Sequence, residues 1–322
     1  METATTLSKD IQTAGDTAQY DASAKRLLAE KIILAWILKS CVEEFQNIDI
    51  KDITEKYIEG EPQISKIPVM PDETNRTSKI KGMGVEDTTM TEGTITFDIL
   101  FEAIIPASED RVSLIINVEN QNDFYPGYPL IKRSIYYCSR MLSSQYGTVF
   151  TKSHYERLKK VYSIWICTNP PQERQNSITG YSIAEKNYIG NVKEQLNHYD
   201  LFSAIMICLG KPESENYAGI LKLLGVLLAS DIEPEDKKEL LEHDFDIPMT
   251  EKLERRVKEM STLGQSVLEK GMEKGIEKGA EAAELSAISN LMKKLKMTAE
   301  QAMDTLDISM EKRGKYRSML GR

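Results

Sequence analysis

Thr94-Ile95-Thr96-Phe97-Asp98-Ile99-Leu100-Phe101 and Leu114-Ile115-Ile116-Asn117-Val118-Glu119-Asn120-Gln121 decide how the rest of the chain is read. Both runs are apolar and rich in β-branched or aromatic residues, the composition of strands. Between them, Pro106-Ala107-Ser108-Glu109-Asp110 has the composition of a turn. The pattern predicts one antiparallel hairpin. Folding it symmetrically about Ser108 and Glu109 places Asp98 opposite Glu119, with Cβ atoms ~4.5–5.5 Å apart. Two carboxylates that close repel unless a proton or a cation lies between them. Gln121 is two residues beyond Glu119 and shares its face. Asp98, Glu119 and Gln121 therefore make a candidate divalent-metal site. The polar face of an ordinary solvated hairpin carries the same residue types, and patterning alone leaves both readings open.

Before the hairpin, Ala22 to Ser40 has helical spacing, with Leu27, Leu28, Ile32 and Trp36 near one face. Residues 59–69 read as a short strand, and Met70 to Met90, with Pro, Gly, Asp and Asn, as loop. Met1 to Ala18 is Thr/Ala/Ser-rich without apolar periodicity and reads as a disordered tail. After the hairpin, Tyr128 to Tyr146 is a helix candidate. Ile131, Ile135, Cys138 and Leu142 share its apolar face, with Arg133, Tyr137, Arg140 and Ser144 roughly opposite. Val161 to Cys167 reads as a buried strand ended by Asn169-Pro170-Pro171. Beyond Leu196 the expectation is helical: Leu201–Leu209, Tyr217–Ala229, Pro234–His243 and Met249–Leu268. Pro234 suits a first helical turn, and Asp244-Phe245-Asp246-Ile247-Pro248 interrupts the pattern.

Glu269-Lys270-Gly271-Met272-Glu273-Lys274-Gly275-Ile276-Glu277-Lys278-Gly279-Ala280 is a repeat with a period of four. On a helix its i,i+3 ion pairs contribute ~0.2–0.5 kcal/mol each. Each glycine costs ~1 kcal/mol against alanine. A lone helix is therefore unfavourable; the repeat is either a flexible linker or a helix packed on a partner, such as a second copy. Thr298-Ala299-Glu300-Gln301 has capping-box form, and Ser309 suits the start of a last helix, so the end reads as a small three-helix unit.

The 322 residues allow one large domain or two. No run reaches the ~20 apolar residues that span a bilayer, and no secretory signal is visible. Cys41, Cys138, Cys167 and Cys208 sit in separate apolar runs without zinc spacing, which fits a reducing cytoplasm. The net charge of −9 argues against nucleic acid at first sight. Its distribution does not: Lys132, Arg133, Arg140, Lys152, Arg157, Lys159 and Lys160 cluster where Asp123 and Glu156 are the only acids.

Ala24-Lys25-Arg26-Leu27-Leu28, Phe97-Asp98-Ile99, Val118-Glu119-Asn120-Gln121, Tyr162-Ser163-Ile164-Trp165-Ile166 and the Glu-Lys-Gly repeat follow one another in that order. The succession of helix, strand, Asp-bearing strand, E-x-Q strand, basic helix and apolar strand resembles the PD-(D/E)XK nuclease superfamily. More closely it resembles the Rpn-like recombination-promoting nucleases, a transposase-like family. The resemblance runs from about Tyr20 to the tail. It implies an α/β fold: a PD-(D/E)XK (restriction-endonuclease-like) core with a mixed central sheet flanked by helices over residues 19–195. A helical extension over 196–268 would follow, then the repeat at 269–283 and a small helical unit at 284–322.

The resemblance also implies Mg²⁺-dependent cleavage of DNA. Asp98, Glu119 and the main-chain carbonyl of Asn120 would hold Mg²⁺ or another divalent cation. The usual third residue is a lysine that holds the attacking water; here it is Gln121, which orients water without adding charge and is characteristic of the Rpn-like group. A further acid from the first helical region is expected, with Glu44 preferred over Glu30 and Glu61. Arg133, Tyr137 and Arg140 form a face for the DNA backbone, supplemented by Lys132 and Gln145, or else an ordinary solvated face. Tyr125-Pro126-Gly127-Tyr128 reads as a turn entering that helix, and Trp36 and Trp165 as core. A homodimer through the C-terminal helices would suit cutting both strands. The competing reading is a catalytically inactive PD-(D/E)XK-fold DNA-binding or scaffold protein, suggested by Gln121, the acidic balance and the long tail.

Overall fold

The computed structural model describes residues 6–64, 86–89, 93–96, 98–106, 111–119, 124, 127–212 and 214–320. For 6–14, 86–89, 93–96 and 111–119 it describes the backbone alone. The chain divides into two compact units, Met1–Gly264 and Gln265–Arg322.

The first helix, α1, spans Thr6–Leu28. The segment read as a disordered tail is thus helical from Thr6 onward; it contains no proline, and its Ala, Leu, Lys and Gln are good helix formers. Tyr20, Ala24, Leu27 and Leu28 are buried at helical spacing. Glu30 is extended (φ −66°, ψ 130°), so α2 (Lys31–Cys41) is a separate helix where one was expected. It buries Ile33, Leu34, Ile37 and Leu38, and Trp36 meets Phe245 edge-on at 5.5 Å. A single helical turn, α3 (Ile50–Asp52), is capped by the Asp49 carboxylate, which accepts from the Lys51 N–H.

The strands that follow are β1 (Gln63–Ile64), β2 (Glu86–Thr89), β3 (Gly93–Thr96), β4 (Ile99–Ile104) and β5 (Arg111–Glu119). β4 and β5 form the expected hairpin, from Ile99↔Ile116 to Ile104↔Arg111. Its first arm is broken, however. Thr94–Thr96 belongs to β3, which pairs with β2 in a separate two-stranded sheet. Part of the segment read as loop, Glu86–Thr89, is therefore strand. Asp98 lies in the bend between β3 and β4.

α4 (Leu130–Ser144) connects β5 to β6 (Val161–Cys167), and β7 (Ser177–Ser182) and β8 (Phe202–Cys208) follow. Among the described residues six strands form one mixed sheet, in the order β1-β4-β5-β6-β8-β7. β5–β6 and β6–β8 are parallel; the other pairs are antiparallel. β6 lies where the sequence placed it and is buried on both faces. β8 was expected to be helical. A short apolar run buried on both faces has no period that separates strand from helix, and the Ala and Met of β8 do not mark a strand as the aromatic and β-branched residues of β6 do. The sheet therefore runs past residue 195, the expected end of the core. α4 buries Leu130, Tyr137, Cys138 and Met141 against Val161, Trp165, Ala204 and Met206.

α5 (Gly219–Leu228) and α6 (Pro234–Phe245) complete the first unit together with the beginning of α7 (Glu251–Leu295). Pro234 opens α6, and Asp246, in the left-handed region at φ 50°, closes it. Lys237 of α6 is fully buried. Its ammonium donates to the carbonyls of Leu227 at 3.3 Å and Ala229 at 2.6 Å, so it caps the C-terminal end of α5.

The second unit contains the rest of α7, then α8 (Ala299–Thr305) and α9 (Met310–Leu320). Ile288, Ala302, Met303, Ile308 and Tyr316 form its core. The capping box is present: the Thr298 hydroxyl accepts from the Gln301 N–H, and the Gln301 side chain accepts from the Thr298 N–H. The Glu-Lys-Gly repeat is helical throughout, within the 45 residues of α7. A Cβ added at Gly271, Gly275 or Gly279 would meet nothing within 4 Å. Among the described residues no helix is long and apolar enough to cross a membrane.

Candidate functional site

Asp98 is a buried carboxylate at the start of β4, with a side chain only 11% exposed. Burying an unpaired carboxylate is expensive, and its partner comes from α1. The Lys25 ammonium lies 2.8 Å from the Asp98 carboxylate and 2.7 Å from that of Asp21, one helical turn before it. The Lys25 side chain is 4% exposed. Burial works to lower its pKa, but Asp98 and then Asp21 outweigh burial and raise it above the ordinary lysine value. Lys25 is therefore a fixed positive charge at the carboxylate.

The register corrects the symmetric fold. Ile99 pairs with Ile116, and continuing that pairing by one step brings Asp98 to the level of Asn117, not Glu119. Glu119 lies two positions further along β5, on the same parity, where its backbone is in register with Cys167 of β6. Diagonal neighbours of this kind are ~7–8 Å apart at Cα. The Glu119 side chain and all of Asn120 and Gln121 lie outside the described residues.

Glu44 does not belong to this end of the sheet. Its carboxylate accepts from the Tyr162 hydroxyl at 2.7 Å and lies 3.9 Å from Lys160. Burial, then the Glu44 charge, pushes the Tyr162 hydroxyl up. Tyr162 precedes Cys167 by five residues of β6, roughly 16 Å at ~3.3 Å per residue. Glu30 is committed to Lys252 and Arg256 of α7, and Glu61 is exposed. Of the acids in the first helical region, Asp21, one turn before Lys25, is the one that shares Lys25 with Asp98. Its signal was an i,i+4 Asp–Lys pair on a segment whose neighbours Ala24, Leu27 and Leu28 are core.

The basic face expected on α4 is rotated. Tyr137 is 6% and Arg140 4% exposed, whereas Ile135, assigned to the apolar face, is 37% exposed. The buried stripe is Leu130, Ser134, Tyr137, Cys138 and Met141, and Arg140 donates to the Tyr136 hydroxyl at 3.4 Å. Gln145 is structural, holding both the N–H and the carbonyl of Lys159. Lys132 remains exposed. Arg133 is half-buried and directed at the sheet. Its guanidinium donates to the hydroxyls of Tyr137 and Tyr128 and stacks over the rings of Tyr137 and Trp165 at 5.2 and 5.4 Å. Trp165 is the register partner of Asn117, so Arg133 stands at the level of Asp98.

Asp98, Lys25 and Asp21 are thus in contact, and Arg133 stands over Trp165 at the same row of the sheet. Asp21, Lys25 and Asp98 together carry one net negative charge, and Glu119 adds a second. A divalent cation would neutralise that sum, and Asp98 and Glu119 are the hard oxygen donors such an ion prefers. A carboxylate has about four lone-pair positions, and the Lys25 ammonium occupies one side of Asp98. Among the described residues no group of three or more His, Cys, Asp or Glu side chains is gathered as a metal site. Comparisons with protein-family models, with curated proteins and with solved structures find no match.

Proposed function

We propose that the chain is a metal-dependent DNA endonuclease on a PD-(D/E)XK core, with Mg²⁺ or another divalent cation held by Asp98, Glu119 and the Asn120 carbonyl. The observation that carries this reading is a buried aspartate, cation-paired to the first helix, two register positions from a glutamate on the adjoining strand. The topology supports it. α1, β1, the β4–β5 hairpin, the α4 crossover and a parallel β6 occur in the order expected of that core.

A bound cation supplies Lewis acidity and lowers the pKa of a ligated water. The chain's own residues do the rest. Asp98 and Glu119 set where the ion sits. Lys25 supplies the positive charge that Gln121 lacks and holds Asp98 ionised and oriented. Arg133, already stacked and half-desolvated, meets a phosphate oxygen without losing much rotamer entropy. The exposed Lys132, in the first turn of α4, draws the duplex toward this end by its backbone charge. Leu268, Met272 and Ile276, exposed by 44, 60 and 71% at i,i+4 spacing along the glycines, supply a stripe on which a second copy packs. Pairing of two chains there brings two sites to one duplex.

The test is nicking of supercoiled DNA by purified full-length protein with Mg²⁺, manganese or chelator. Asp98→Asn should lose about a hundredfold or more in rate, since several kcal/mol of transition-state stabilisation depends on the ion. Equal rates for wild type and variant would place the site elsewhere. Tight DNA binding without cleavage under every metal would favour the scaffold reading.

A further inference from the structure

Cys167 ends β6 and Cys208 ends β8, and the two are register partners on adjacent parallel strands. Both pack into the cluster under α4, beside Trp165 and Met206. Neighbouring strands lie ~4.7–4.9 Å apart, within the ~4.4–6.8 Å Cα separation of a disulfide. In-register residues of adjacent strands project from the same face, so the two side chains are neighbours in that cluster. Hydrogen bonding to Cys167 is the main cause holding the Cys208 thiol below its ordinary pKa; burial opposes it, and the Arg174 guanidinium and Ser177 hydroxyl reinforce it. Cys41 and Cys138 behave in the opposite way, each pushed up to about 12 by burial. The row does not stop at the cysteines. Cys167 is also the register partner of Glu119, and Cys208 of Ser177. The thiol pair therefore stands one strand from the proposed metal ligand.

We propose that Cys167 and Cys208 are an oxidisable dithiol that a small hydroperoxide converts to a cross-strand disulfide, switching off the carboxylate site beside it. The Cys208 thiolate attacks one peroxide oxygen and the O–O bond breaks. The leaving alkoxide or hydroxide takes up a proton, and Cys208 becomes a sulfenic acid. Cys167 attacks that sulfur; the S–S bond forms, the S–O bond breaks, and water leaves with the Cys167 proton. Two thiols are oxidised by two electrons, and one hydroperoxide is reduced to an alcohol, or to water when it is hydrogen peroxide, plus water. Both thiols are 3% exposed, which restricts the oxidant to a small molecule. Drawing the Cβ atoms from the strand spacing to the ~3.8 Å of a disulfide strains the bond, and strained disulfides are the readily reduced ones. The same displacement pulls Cys167 away from the β5 row that carries Glu119.

The switching effect rests on the hydrolase reading; the disulfide itself does not. Full-length protein is treated with hydrogen peroxide, unfolded, alkylated, digested and analysed by mass spectrometry. The expected product is a Cys167–Cys208 linked peptide that dithiothreitol reverses, formed at least ~10-fold faster than any modification of Cys41 or Cys138, which hold little thiolate. Cys167→Ser should trap a sulfenic acid on Cys208, detectable with a dimedone probe. Two freely alkylated thiols after treatment, or earlier oxidation at Cys41 or Cys138, would overturn the dithiol. In the parallel nicking assay, oxidation should slow wild type and spare Cys208→Ser. A disulfide that forms without slowing wild type overturns the switch alone. Absence of nicking in the reduced protein counts against the hydrolase reading, and the linked peptide still decides the dithiol.

Discussion

Lys25 and Lys237 are both buried lysines, and their surroundings send them in opposite directions. Lys25 has two carboxylates and is raised. Its stabilising contribution is complete below the ordinary lysine value of ~10.4 and is lost only as pH climbs through the higher folded value. Lys25→Met should cost about 3 kcal/mol or more at neutral pH, because it leaves a buried carboxylate uncompensated. Mg²⁺ should then stabilise the variant more than the wild type in urea titrations, since the vacated position favours a cation; equal shifts would show that no ion binds there. Lys237 is pulled down to about 8, first by burial, with Asp231 opposing. Between about 8 and the ordinary value the unfolded chain binds the extra proton, so this group adds stability as pH rises through that window. Lys237→Met should remove that rise from the difference between wild-type and variant urea midpoints at pH 7.5 and 9.5. It should also cost ~1–3 kcal/mol for the two orphaned carbonyls. Asp98 was legible in the sequence as a candidate. Lys25 was visible as part of a motif but not as its partner, because nothing local in either segment records a contact made through the sheet.

The hairpin was legible as an element, and its register was not. Symmetry about Ser108 and Glu109 assumes a connection centred there. The pairing Ile104↔Arg111 centres it one residue earlier, which shifts each partner by two. A slip of two keeps the parity of each position, so Asp98 and Glu119 stay on the same parity while the separation between them grows. α4 was found with its buried stripe misplaced, because Tyr137 and Arg140 look polar by type yet offer long apolar stems and rings to the sheet. α7 poses the element-scale test. Its repeat glycines have open space where a Cβ would stand, so Gly271→Ala, Gly275→Ala and Gly279→Ala together should strengthen the helix by ~1 kcal/mol per site in a single chain. If two copies pack along those glycines, the added methyls hold them apart. The triple variant should then sediment as a lighter species than wild type at equal concentration. Identical masses would remove the glycines from the interface.

At the scale of the whole molecule, the first unit ends at Gly264, where a Cβ would come 2.9 Å from the Ser230 hydroxyl. Leu253, Val257, Met260 and Ser261 are buried just before it. A chain ending at residue 264 should therefore unfold in one cooperative transition by circular dichroism, whereas cutting at 250 should abolish that transition. The mixed α/β class and the C-terminal helical unit were legible from patterning. The extent of the sheet was not, and the order of its strands gives that error a practical meaning. β8 is made last but lies between β6 and β7. Until residue 208 has left the ribosome, β6 offers a bare edge of seven residues, all apolar but Ser163, with every backbone hydrogen-bonding group on that side unmet. A fragment covering residues 19–195, the boundary that patterning suggests, keeps that edge exposed for good. It should collect in the insoluble fraction on expression, while the chain ending at 264 stays in solution.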